Sequence, residues 1–164
     1  MTIETILLPV SDSDGERVHR LADIAAEMAA PTGATVVVAH AIPKDTDGVT
    51  PTIPPISGGS YPQLLSEPEY NDLLDEYSAD EIAAKHETVQ SVRSRFEDRR
   101  IEYDIRGAVG EPDEALLALA SEIDADQIVV GGRRRTPADK VVFGSLAQTL
   151  LLQAPCPVTF VRDS

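Results

Sequence analysis

Apolar residues along this chain follow two different periods. Four short stretches are almost continuously apolar and rich in β-branched residues, which is typical of strands covered on both faces: Thr5–Val10, Val36–Ile42, Ile128–Val130 and Val158–Val161. A fifth stretch, Ile101–Arg106, alternates apolar and polar residues and predicts a strand at the edge of a sheet. The pattern therefore predicts five strands.

The segments between these strands have helical periodicity. In the first helix, Val18, Leu21 and Ala25 share one face, while Arg17 and Arg20 fall on the opposite, polar face. Three further helices are predicted: one from the capping box Ser78–Glu81 through Phe96, one from Pro112 through Ile123, and one starting at Ser145. Strands that alternate with helices predict an α/β fold, a three-layer open sheet of five parallel strands with helices on both faces.

Periodicity is absent from Pro43 to Tyr77, a segment that holds half of the twelve prolines. This is too long for an ordinary connection between a strand and a helix, so it is either a functional excursion or a partly disordered one. Residues 1–164 are otherwise the length of one domain.

Composition narrows the classes of partner. The formal net charge is −14, which opposes binding to nucleic acid and to anionic membranes and suits a halophile-like, acidic surface in concentrated salt.

No apolar run reaches the length of a membrane span, and Met1–Val10 leads directly into a strand without a signal pattern, so we expect a cytoplasmic protein. The single Cys156 excludes an internal disulfide and is expected to be buried and inert.

The richest stretch chemically is Asp126–Ala147. The strand leads to Gly131 and Gly132, where we expect the backbone to turn or to be approached closely. Three arginines, Arg133–Arg135, follow, and Gly144 precedes the helix that starts at Ser145. Because helix N-termini present unpaired N–H groups that favour anions, this stretch predicts a phosphate-binding turn, although a purely structural turn would use the same glycines.

The spacing of Gly131, Gly144 and Ser145 resembles the signature of the universal stress protein family: Gly, two residues, Gly, nine residues, Gly-Ser. The second glycine is replaced by Arg134. The resemblance extends along the chain through ILLPVSDSD, AHAIP, GEPDEALLALASEIDADQIVVG and APCPVTFV. It implies an adenine nucleotide alpha hydrolase-like sheet of order 3-2-1-4-5, with ATP, with or without Mg²⁺, as ligand. It also implies a homodimer through Val158, Phe160 and Val161 of the last strand.

The resemblance further implies where the nucleotide lies. Ser11 stands where the ATP-binding branch has an Asp that contacts the ribose, with Asp12 adjacent, and Ala41 stands where backbone contacts adenine. The predicted nucleotide-binding residues are Pro9, Val10, Ser11, Asp12, Ala41, Val130, Gly131, Arg134, Gly144, Ser145, Leu146 and Ala147. Arg134 either binds phosphate in place of the family's glycine or fills the site.

Two functions remain open at this stage. The first is an ATP-binding sensor or regulator in stress response, and the second is a protein-interaction module of the same fold that has lost the nucleotide. A nucleotidyl-transfer enzyme is disfavoured because no catalytic motif is present, so hydrolysis is expected to be slow at most. No metal site is predicted, since His40 reads as a packed strand residue and His19 and His86 fall on predicted helices.

Overall fold

The computed structural model describes residues 2–42, 52–53, 63–64, 71–72, 77–132 and 145–162. Five parallel strands form the main sheet: β1 Thr5–Pro9, β2 Thr35–Ile42, β5 Tyr103–Val109, β6 Gln127–Gly132 and β7 Val158–Arg162. Their spatial order is β5-β2-β1-β6-β7. The predicted order 3-2-1-4-5 is therefore confirmed. A separate antiparallel pair, β3 Thr52–Ile53 and β4 Gln63–Leu64, lies within the proline-rich segment.

Helices cover both faces of this sheet. Five α-helices have both ends among the described residues: α1 Arg17–Ala29, α2 Ala79–Lys85, α3 Glu87–Arg99, α4 Pro112–Glu122 and α5 Ser145–Gln153. One core cluster joins α1 and α3 to one face, and a second joins α4 and α5 to the other. The strands between them alternate their side chains between the two clusters, which explains their nearly continuous apolar sequence. Among the residues described, no helix has the length and apolar character needed to cross a membrane.

The prediction of one helix from Ser78 through Phe96 is wrong in one respect, because this segment forms two helices, α2 and α3. The capping box that predicts its start is present, with Ser78 Oγ accepting from the Glu81 N–H at 3.1 Å. His86 then interrupts the helix with an extended backbone, at φ −66° and ψ 136°. α2 packs over the carboxyl ends of β2 and β5, where Ile82 and Ala83 contact Ile42. The break lets α3 turn down along the sheet face towards α1.

Two strands extend further than the sequence predicts. The predicted strand ends at Arg106, but β5 continues to Val109 because its pairing with β2 persists through Ala41↔Ala108 and Ile42↔Val109. At Gly131 and Gly132 the sequence predicts a turn or a close approach; the chain does not turn there, because both residues belong to β6 and pair with Val161 and Arg162 of β7. Sheet pairing overrides the turn preference of glycine in both places.

Gly132 is required for packing rather than for a turn. A Cβ added there would collide with the Cζ and Cε2 atoms of Phe160, whose ring lies across the glycine from the neighbouring strand. The absence of a side chain at Gly132 is what gives the edge of the Phe160 ring, on the edge strand β7, room against β6.

We therefore expect Gly132→Ala to lower the free energy of unfolding by about 1–3 kcal/mol, the usual cost of overpacking a core. Phe160→Ala removes the colliding ring, so the same glycine substitution should be nearly neutral in that background. Urea denaturation of the four proteins in this double-mutant cycle measures the coupling. An equal cost in both backgrounds would show that the collision with Phe160 is not its cause.

Candidate functional site

The carboxyl ends of β1 and β6 lie side by side at one end of the sheet, and we call the space above them the crevice. These strands are neighbours, yet the helices that follow them, α1 and α5, pack on opposite faces of the sheet. Parallel sheets bind ligands at such reversals of strand order, because the two departing loops separate and expose backbone groups between them. Both loops that the sequence marks as chemically rich start here.

Asp14 organises the loop after β1. Its Oδ2 accepts the Ser11 N–H at 2.8 Å, and its Oδ1 accepts two bonds from Arg17, from Nε at 3.2 Å and Nη2 at 3.0 Å. These bonds hold residues Asp12–Asp14 in one turn of 3-10 helix. The Ser11 hydroxyl, expected at the ribose, lies 2.7 Å from the Ser13 hydroxyl. The loop is therefore preformed by its own hydrogen bonds.

Arg17 belongs to the crevice and not to the solvated face of α1, where the sequence analysis put it. Its side chain is only 10% exposed. A Cβ added at Gly131 would lie 2.9 Å from Arg17 Nε, so the guanidinium lies directly against the backbone of the predicted phosphate-binding turn. The i,i+3 spacing from Asp14 is a sequence signal that could have indicated the ion pair. A ligand that reaches the Gly131 backbone must contact Arg17.

The far side of the crevice is formed by the end of β6 and the start of α5. Val130 and Ala147 are both buried in the same core cluster, with Leu146 packed against it, so the first turn of α5 lies close to the end of β6. Ser145 is the first residue of α5, as predicted. Arg134 and Gly144, with Arg133 and Arg135, lie outside the described residues.

The end of β2 supplies the position expected at the adenine. Ala41 is half-buried, and its carbonyl oxygen lies 3.0 Å from His40 Nδ1. Pro9 and Val10 of the neighbouring chain segment are buried beneath the crevice, and the Val10 N–H donates to the Ala39 carbonyl at 2.9 Å. The predicted residues at the ends of β1 and β2 are thus brought to one edge of the sheet.

A cluster that the sequence analysis missed lies beside this edge. Asp12 Oδ1 is 3.4 Å from His86 Nδ1 and 3.7 Å from His40 Nε2, and the two imidazoles are stacked with centroids 3.7 Å apart. Both histidines are buried, at 8% and 6% exposure. The pKa of the Asp12 carboxyl lies well below its usual range because of its polar contacts with the two histidines, of which the contact with His40 has the larger effect and that with His86 the smaller. No local sequence pattern links these residues, because each comes from a different element.

The family model of the universal stress protein family matches residues 2–162. A universal stress protein of Thermus aquaticus is 30% identical over 161 residues, which are 97% of this chain and 98% of that protein. One from Mycolicibacterium smegmatis is 38% identical over 80 residues, and that match spans 48% of this chain and 62% of the relative.

Solved structures agree with the sequence relatives. A universal stress protein from Archaeoglobus fulgidus superposes with a TM-score of 0.65 at 28% identity, over 96% of this chain and 98% of that one. A universal stress protein from the same organism, solved in complex with dAMP, has a TM-score of 0.61 at 24% identity, over 98% and 99% of the two chains. With its sheet order, its crevice and a family match over nearly its whole length, the chain belongs to the universal stress protein family.

Proposed function

We propose that this protein binds an adenine nucleotide, ATP above all, and acts in the cytoplasm as a dimeric sensor or regulator in stress response. The observation that carries the proposal is the crevice between β1 and β6, with Gly131 on one side and the first turn of α5 beside it. Parallel sheets bind nucleotides at this position. The dAMP complex of the Archaeoglobus fulgidus protein, which has the same fold, supports an adenine nucleotide as the ligand class.

The parts of the nucleotide match the parts of the crevice. Phosphates suit the N-terminus of α5, from Gly144 to Ala147, where unpaired N–H groups and the helix dipole favour negative charge. Arg17 adds a cation beside Gly131. The base suits the end of β2 at Ala41, with Ser11 and Asp12 towards the ribose. Mg²⁺ would bind through the phosphates and water, as it does in most nucleotide sites.

The alternative is a protein-interaction module that has lost the nucleotide, and two contacts favour it. The Ser11 hydroxyl lies 2.7 Å from Ser13, and Asp12 Oδ1 lies near two imidazoles, so both groups must exchange partners to reach a ribose. The preformed bonds of Asp14 to Ser11 and Arg17 also make the loop stiff without a ligand. We assign no catalytic residue in either case.

Titration calorimetry with ATP tests the proposal. We expect saturable binding by the wild type and weaker binding by Ser145→Ala. If Arg134 binds phosphate in place of the family's glycine, Arg134→Gly weakens binding by roughly 1.5–3 kcal/mol, the scale of a charge-assisted hydrogen bond. If Arg134 fills the site, the same substitution strengthens binding.

Arg133→Gly and Arg135→Gly are the matched controls, because they remove the same charge at adjacent positions and should change affinity only by a salt-screened increment. No ATP binding by the wild type at millimolar concentration, together with no nucleotide released from the purified protein, would refute nucleotide binding and leave the interaction module.

The dimer is proposed through β7, which lies at one edge of the sheet. An edge strand presents unpaired N–H and C=O groups, and pairing with a second copy around a two-fold axis satisfies them. Of the three residues expected at the contact, Val161 is buried within its own subunit and Phe160 packs over Gly132. The backbone of β7 is therefore the larger part of the proposed contact.

Hydrogen exchange at increasing protein concentration tests the dimer without a substitution. Exchange within Val158–Arg162 should slow as sedimentation shows dimers forming at micromolar concentration. β5, Tyr103–Val109, is the internal control, since it is the opposite edge of the same sheet and should be unaffected. A monomer at these concentrations, or equal protection of both edges, would contradict dimerisation through β7.

A further inference from the structure

The cluster of Asp12, His40 and His86 brings three metal-ligating side chains to one point. Asp12 lies in the turn after β1, His40 lies near the end of β2, and His86 lies at the break between α2 and α3. One ligand atom of each, Asp12 Oδ1, His40 Nε2 and His86 Nδ1, lies within 4.8 Å of the other two. Nothing in the nucleotide-binding proposal uses the two imidazoles.

His40 directs its second ring nitrogen, Nε2, into this cluster. The ring is 8% exposed, and its Nδ1 is 3.0 Å from the Ala41 carbonyl oxygen. A carbonyl oxygen only accepts hydrogen bonds, so Nδ1 donates to it, and Nε2 is the ring nitrogen left to bind a ligand. Nε2 is buried without a hydrogen-bond partner and faces the carboxylate of Asp12 at 3.7 Å. A cation placed between Nε2 and the carboxylate would give this buried nitrogen a partner.

The remaining contacts also suit a metal. The bond from His40 Nδ1 to a backbone carbonyl is the usual outer-shell support of a ligating histidine, because it fixes the tautomer and the ring orientation. Thr88 Oγ1 donates to Asp12 Oδ1 at 3.3 Å and orients the carboxylate. The Asp12 side chain is 59% exposed, so one side of the cluster is open to water ligands.

Asp12 Oδ1 lies from each imidazole nitrogen at close to the distance that binding one ion requires. Two ligands bound to a tetrahedral ion with bonds of about 2.1 Å lie about 3.4 Å apart. Asp12 Oδ1 is 3.4 Å from His86 Nδ1 and 3.7 Å from His40 Nε2. The carboxylate therefore needs little movement to share an ion with either ring.

The imidazole rings must move further than the Asp12 carboxylate to bind the same ion. The two rings are stacked, with their planes 15° from parallel. An imidazole nitrogen binds a metal ion that lies in the plane of its ring. One ring must therefore turn before both nitrogens can bind the same ion. His86 is suited to this change, because it lies at the helix break, outside regular helical backbone. His40 is fixed by its bond to Ala41.

We propose that Asp12 Oδ1, His40 Nε2 and His86 Nδ1 bind one divalent transition-metal ion of the zinc class, with water completing the coordination. Two imidazoles and one carboxylate favour Zn²⁺, Co²⁺ or Ni²⁺ over the hard cations Mg²⁺ and Ca²⁺, which prefer oxygen ligands. The site is built from side chains alone and needs no nucleotide. A failure to bind the metal ion can therefore be distinguished from a failure to bind ATP.

Titration of tag-free protein with Zn²⁺ in the absence of nucleotide tests the site. We expect one saturable site that excess Mg²⁺ does not displace. Asp12→Asn, His40→Gln and His86→Gln should each weaken it by more than the roughly 10–100-fold that outer-shell changes cause. His19→Gln is the matched control, because His19 is the third of the chain's three histidines, is exposed, and lies on α1 with Arg95 Nε 2.9 Å from its Nδ1.

The nitrogen NMR spectrum of the imidazoles provides a readout on the wild type that does not depend on any variant folding. Zn²⁺ should shift the ring nitrogens of two histidines, His40 and His86, and leave those of His19 unchanged. Absence of a stoichiometric Zn²⁺ site would overturn the proposal. Displacement by Mg²⁺, or an equal loss of affinity in the folded His19→Gln protein, would assign the binding to the acidic surface and overturn it as well.

Discussion

The parallel pairing of β1 with two neighbours, β2 on one side and β6 on the other, is the constraint on which the site depends. The chain leaves β1 for α1 on one face and reaches α5, after β6, on the opposite face. The two helices thus lie on opposite faces of the sheet beyond two adjacent strand ends, which is the position where parallel sheets bind ligands. Pro9 fits at this point because the pairing of β1 with β6 covers only Ile6 and Leu7.

The same register brings the histidine cluster together. Pro9 pairs with Ala39, so the turn after β1 comes out beside the end of β2, where His40 lies. His86 joins them because the helix that follows the proline-rich segment breaks there and packs its two halves on different parts of the sheet. The turn after β1 thus serves two neighbouring features, the crevice through Ser11 and the imidazole pair through Asp12. Its geometry is fixed by Asp14.

The two glycines at the end of β6 are needed for two different physical reasons. Gly132 makes room for the ring of Phe160, and Gly131 makes room for the guanidinium of Arg17. Gly132 lies two residues before Arg134, which occupies the position of the family's second glycine, and packing within the sheet explains a glycine there. Arg17 is also held by Asp14, so the crevice contains an ion pair whose two side chains are only 10% and 9% exposed. Breaking such a pair by removing one partner is costly.

Much of the fold follows from sequence alone, because burial on both faces of a parallel sheet imposes continuous apolar runs that are visible in one dimension. The four runs and the alternating stretch Ile101–Arg106 correspond to the five strands, and the capping box at Ser78 correctly marks the start of α2. The strand order came from the resemblance carried by Gly131, Gly144 and Ser145.

Tertiary structure alone decided how far β5 and β6 extend, since pairing with a neighbouring strand outweighs the local preference of glycine. It also decided that the Arg17 side chain is largely shielded from solvent and that Asp12, His40 and His86 meet. Contacts between residues far apart in the chain depend on strand register and helix packing, which no local pattern encodes.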